Sequence, residues 1–159
     1  VCFDQSRQFI DTQNVLQYLI KNTPSSYASV YHNEYLGEYT RPYCHWGIKT
    51  TISQTYYLHY YIMEKLLKIS EDEKKIFHTI LSHEDRNIVK NFSLDKVKKM
   101  LTGMSYSLDF DYNKVIFFYQ NLRNCPLQHL DLHVRNIMKD MDGNFKMIDF
   151  DRMKLESGL

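Results

Sequence analysis

The chain lacks the features that define several protein classes. Its three cysteines, Cys2, Cys44 and Cys125, are odd in number, far apart and outside any CxxC pattern. That fits a reducing cytosol better than a disulfide framework. No apolar run approaches the roughly 20 residues that span a bilayer. No signal-peptide pattern opens the stretch, and the start at Val1 reads as Met removal or a fragment. There is no repeat and no low-complexity linker. Neither charge sign is in excess: 20 Lys and Arg face 19 Asp and Glu, a net +1. The cations are scattered, so no basic footprint for nucleic acid is present.

At 159 residues the chain is long enough for a real core in one domain or one compact two-lobed unit. Its 13 Tyr and 9 Phe are read as packing groups. Apolar residues at near-helical spacing predict a helix over 9–21, broken by Asn-Thr-Pro-Ser-Ser at 22–26. The Tyr- and Val-rich stretch 27–39 predicts strands with a turn near Asn33 or Gly37, and 46–52 predicts another strand. Tyr57, Leu58, Tyr61, Ile62 and Leu66 predict a helix over 55–69. Ser70 and Glu73 form a capping box opening a helix to about His83. A strand at 88–92 and a helix over 111–122 follow.

The chemistry concentrates near residue 130. The segment His129-Leu-Asp131-Leu-His133-Val-Arg135-Asn136 is followed by Met147-Ile148-Asp149-Phe150-Asp151. Residues 137–139 and 145–148 read as two short strands joined by Asp142-Gly143-Asn144, residues suited to a tight reversal. Such a hairpin brings Asn136, before the first strand, beside Asp149, after the second. Two oxygen ligands there suit a hard cation such as magnesium. Asp131 lies on the loop leading in, where a base could orient a hydroxyl. Two other readings stand beside this one. HxDxH is also a pattern for zinc or a dinuclear centre, and it could be a purely structural loop. The metal-cluster reading does not explain Asn136, the hairpin or Asp149.

This set resembles the catalytic and metal-binding loops of the protein-kinase superfamily, H-R-D-L-x-x-x-N followed by D-F-G. The resemblance implies that Asp131 is the catalytic Asp and that Asn136 and Asp149 hold magnesium over the phosphates of ATP. His133 stands where protein kinases have Lys, and Asp151 where they have Gly. Both variants look like aminoglycoside phosphotransferases and related small-molecule kinases. By the same resemblance His133 would contact the γ-phosphate or substrate, and Asp151 would add a metal contact or cap the turn.

The resemblance extends more loosely upstream. Tyr27-Ala28-Ser29-Val30-Tyr31 resembles the second half of the Gly-rich nucleotide loop, with Thr23, Ser25 and Ala28 at the glycine positions. That implies nucleotide contacts from Ser25, Ser26, Tyr27 and Ala28. Trp46-Gly47-Ile48-Lys49 resembles V-A-I-K and makes Lys49 the lysine of the α and β phosphates. Its carboxylate partner is Glu64 or Glu73. Leu81 to Lys90 looks like the L-x-H-P-N-I-V-K joint with an insertion, and 99–106 is the only room for a fifth strand and hinge. Ten residues follow Asp149, too few for an activation segment or later large-lobe helices. Small Ser/Thr kinases of lytic podovirus-type phages share the aromatic hairpin, the Ile-Lys strand and a D-x-H-x-x-N-I-M loop.

The expectation is an α+β, two-lobed protein-kinase-like fold with a minimal or truncated large lobe. Residues 1–105 would form the nucleotide-binding lobe and 106–159 the partial C-terminal lobe. It would use ATP and magnesium to phosphorylate a protein Ser or Thr in the cytoplasm, that of an infected host if the origin is viral, with oligomeric state open. The alternatives are a small-molecule kinase of the aminoglycoside or choline type and a non-catalytic pseudokinase that binds a partner protein.

Overall fold

Helix α1 (Ser6–Asn22) buries Thr12, Val15, Leu16 and Leu19, the single stripe that a 3.6-residue period puts on one face. It ends where the Asn22 side chain donates to Tyr18 O and Thr23 N donates to Leu19 O, with Thr23 at φ +41 and Pro24 next. The computed structural model describes residues 2–4, 6–82, 93–104, 110–130 and 132–156. The expected strand at 88–92, most of the kinase-like joint, and Asp131 lie outside these residues.

Strand β1 (Cys2–Asp4) precedes α1, and a long hairpin of β2 (Val30–His45) and β3 (Ile48–Met63) follows it. The three form one antiparallel sheet in the order β1-β3-β2. Two sequence expectations change here. The stretch 55–69 is not a helix: β3 runs through it to Met63. Tyr57 and Tyr61 are four apart, a spacing that places residues on one face of a strand as well as of a helix. Their β-branched and aromatic neighbours decide for the strand. Nor is there a turn near Gly37. The register shifts between Tyr35 and Gly37, and Gly37 at φ +134 absorbs a bulge within a continuous strand. The reversal lies at Trp46-Gly47, inside the expected strand 46–52, where φ is +52 and +77.

The capping box forms as expected. Glu73 N donates to Ser70 Oγ at 3.2 Å, and Ser70 N donates to Glu73 Oε2 at 2.6 Å. It opens α2 (Glu71–Ser82), which buries Ile76, Phe77, Ile80 and Leu81. Residues 94–103, partly reserved above for a hinge, are helix α3 (Leu94–Gly103), capped by Ser93. Helix α4 (Tyr112–Asn124) starts at the Asp111 cap and buries Val115, Phe118, Tyr119 and Leu122.

A second antiparallel sheet joins β4 (Leu67–Lys68), β6 (Ile137–Lys139) and β7 (Phe145–Met147), and a third pairs β5 (Leu127–His129) with β8 (Met153–Leu155). Phe145 of β7 meets Phe77 edge-on at 4.9 Å, and Phe118 packs beside both, so α2 and α4 brace the β6–β7 hairpin. The fold is α+β. One buried cluster runs from Val15 and Leu16 through Phe77 and Phe118 to Met147 and Met153. Among the described residues no helix is long and apolar enough to cross a membrane.

Candidate functional site

The site begins with the turn between β6 and β7. Asp140 Oδ1 accepts from Asp142 N at 3.0 Å and from Asn144 N at 2.8 Å, and Oδ2 accepts from the Asn144 side chain at 3.0 Å. Gly143, at φ +79, completes the reversal. Burial opposes ionisation of Asp140. The bonds from Asn144 and Asp142 and the nearby Lys146 outweigh it and hold the carboxyl below its usual range. This locally satisfied turn fixes the register Ile137↔Met147.

That register sets the residues flanking the hairpin. Asn136 Nδ2 donates to Asp149 Oδ2 at 3.0 Å, and Ile148 N donates to Asn136 O at 2.9 Å. Further out, Leu130 N donates to Arg152 O at 2.8 Å, extending the β5–β8 ladder. The segment 130–136 is therefore tied at both ends to 148–152. His129 is buried on β5, and half-buried His133 precedes a short 3-10 turn (Val134–Asn136).

Asp149 has φ +72 and ψ +65 and makes no side-chain cap to the 3-10 turn (Phe150–Arg152) that it precedes. Non-glycine residues in this region are costly and concentrate where function needs them. The conformation is held from behind by Phe150, fully buried and 5.4 Å from the ring of Tyr61 on β3. With the Asn136 amide nitrogen committed to Asp149, a cation would meet Asn136 Oδ1 and the Asp149 carboxylate. This all-oxygen set suits magnesium rather than zinc. Among the described residues no three His, Cys, Asp or Glu are grouped to hold a metal.

The other expected site residues are placed differently. Asp151 meets α1, its backbone oxygen accepting from Gln8 Nε2 at 3.3 Å. Ser26, Tyr27 and Ala28 are buried along β7 rather than standing as a nucleotide flap. Met147 N donates to Ser26 O and Ala28 N to Met147 O, while Ser26 Oγ donates to Phe118 O. Tyr27 N is bonded to Pro24 O, so these amides are occupied within the fold; Ser25 lies in the exposed turn before them.

Lys49 lies one pair beyond the Trp46-Gly47 turn, opposite Cys44. Measured along β3 it is roughly 40 Å from Tyr61. The structure does not bring it to the Asn136–Asp149 pair. Both glutamates considered as its partner are held by other lysines. Glu64 accepts from Ser29 N at 2.7 Å and lies 4.0 Å from Lys146 of β7. Glu73 lies 2.9 Å from Lys139 of β6. Lys139 and Lys146 were not singled out in the sequence. The alternation of β7, which turns Lys146 away from the face of Phe145 and Met147, is the signal that sets it on the opposite face, toward Glu64 and Asp140.

No protein-family model, curated protein or solved structure matches the chain.

Proposed function

We propose that the chain is a kinase-like phosphotransferase moving the γ-phosphoryl group of ATP to a hydroxyl, that of a protein Ser or Thr. The plan would be a two-lobed protein-kinase-like one with a minimal or truncated large lobe. The observation that carries this reading is the Asn136–Asp149 contact at 3.0 Å beside a strained Asp149. An Asn amide and an Asp carboxylate are the pair with which protein kinases hold magnesium over the phosphates. Asp131 would accept or orient the proton of the acceptor hydroxyl. Asn136 and Asp149 would hold magnesium, which when bound neutralises charge on the phosphates. His133 would contact the γ-phosphate or the acceptor, and Asp151 would steady the loop after Asp149.

A second reading, a pseudokinase that binds a partner without catalysis, is favoured by the occupied amides of residues 27 and 28 and by the remote Lys49. Incubation with γ-labelled ATP, magnesium and a generic protein substrate separates the two. Label that disappears in Asp149→Ala, and in Asp131→Asn with ATP binding near normal, supports the phosphotransferase. Full activity in Asp131→Asn would sink the assignment. Absence of both label and magnesium-dependent nucleotide binding would leave the pseudokinase.

A further inference from the structure

Beside the metal-loop candidate lies a cleft of about 660 Å³. One wall is the start of α1, with Arg7, Gln8 and Asp11; the other is Asp151, Arg152 and Lys154. Leu130, the residue before Asp131, also lines it. Its charges are unevenly engaged. Lys154 and Asp11 face each other at 4.0 Å. Asp151 is held by Gln8. The side chains of Arg7 and Arg152, both exposed, make no hydrogen bond or ion pair with any other described residue. Two guanidinium groups are thus left to one cleft, and the planar guanidinium is matched to carboxylate or phosphate oxygens.

A second observation points to a ligand. Asp151 Oδ1 is buried and has no hydrogen-bond partner among the described residues. A buried acceptor without a donor is costly, and a turn of the half-buried Asp151 side chain toward the cleft would let an arriving N–H relieve it. The two carboxylates also disfavour a polyanion such as nucleic acid. A segment that offers backbone N–H donors and one or two isolated acidic groups fits both walls.

We infer that this cleft binds the acceptor protein through an acidic peptide segment, with Arg7 and Arg152 taking its anionic side chains and Asp151 a backbone N–H. The inference rests on the phosphotransferase reading only for the name acceptor; the binding itself is independent of it.

The test uses fluorescein-labelled Ser-containing peptides flanked by Glu, by Gln, or by phosphoserine, with anisotropy read without nucleotide. The Glu peptide is expected to bind about tenfold tighter than its Gln isostere. Arg7→Gln and Arg152→Gln should each remove most of that preference, with circular dichroism unchanged. Added salt should weaken the Glu peptide more than the Gln peptide. A tighter phosphoserine peptide would identify a phosphorylated segment as the source of the anion. Equal binding of Glu and Gln peptides, or a preference unchanged in both arginine variants, overturns the inference. So does displacement of the Glu peptide by equimolar inorganic phosphate, which would mark a free-phosphate site. Acid preference without transfer from ATP would remove the phosphotransferase reading and leave the cleft assignment standing. Transfer with equal kcat/KM on Glu and Gln peptides would do the reverse.

Discussion

Asn136 and Asp149, thirteen residues apart, meet side chain to side chain at 3.0 Å across the open end of one hairpin. The contact depends on Asp149 keeping its left-handed backbone, which Asp and Asn tolerate better than β-branched residues. Asp149→Asn should therefore leave urea stability within about 0.5 kcal/mol; on the phosphotransferase reading, magnesium-dependent nucleotide binding should be lost with the charge. Asp149→Val should cost about 1–2 kcal/mol in the same urea titration. Equal stability of the two variants would show that the backbone there is not strained.

The parts legible in the sequence are those whose signals are local. The Ser70–Glu73 box, the Asp140 turn and the stripe on α1 each need only a few neighbouring residues to be satisfied, and Asn136 meets Asp149 because a short turn dictates it. Strand β3 was hidden because Tyr57 and Tyr61 fit both periods. Helix α3 was hidden because a kinase-like plan reserved part of its residues for a hinge, although Ser93, Val97 and Leu101 carry a cap and an i, i+4 pair. The Gln8–Asp151 contact, spanning 143 positions, depends on how α1 docks and has no local signature.

Glu73 does two tasks, capping α2 and meeting Lys139 with only 13% and 23% of the two side chains exposed. Glu73→Ala should cost about 1–2 kcal/mol, because it removes the reach-back bond and leaves Lys139 without its carboxylate. Glu73→Gln keeps the cap and should cost less. A double-mutant cycle with Lys139→Met should give a coupling of about 0.5–1 kcal/mol. A coupling near zero would show that the pair contributes only through the cap.

Acid should act on the hairpin through Asp140. Its carboxyl is held below the ordinary range, so the stability it contributes is fully present above about pH 4. That contribution is lost as pH falls through the lowered folded value. Asp140→Asn keeps an acceptor for two amides but sets an NH2 against that of Asn144. Wild type should be the more stable at neutral pH, and the gap should narrow on titration toward about pH 2. A gap independent of pH would mean that the carboxylate charge plays no part.

Lys49 gives a direct contrast between resemblance and geometry. If ATP binds at the Asn136–Asp149 pair with the hairpin as it stands, Lys49→Met should change nucleotide affinity less than twofold, since the lysine lies roughly 40 Å along β3 from Tyr61. A tenfold or greater loss of affinity, measured by calorimetry with magnesium present, would require the β2–β3 hairpin to fold over the site when nucleotide binds.

The hairpin tip is the simplest place to improve stability. Trp46 and Gly47 both have positive φ between paired His45 and Ile48, the geometry of a type I′ turn, for which Asn-Gly is the favoured pair. Trp46 is 89% exposed, so its ring adds little burial in return for its backbone strain. Trp46→Asn should raise stability by about 0.5 kcal/mol. Gly47→Ala should lower it by about 1 kcal/mol. The space around Gly47 is open, so that cost would be conformational rather than steric. Thermal melts of the two variants should move in opposite directions; a loss of stability in Trp46→Asn would mean that the indole is held by a contact worth more than the strain.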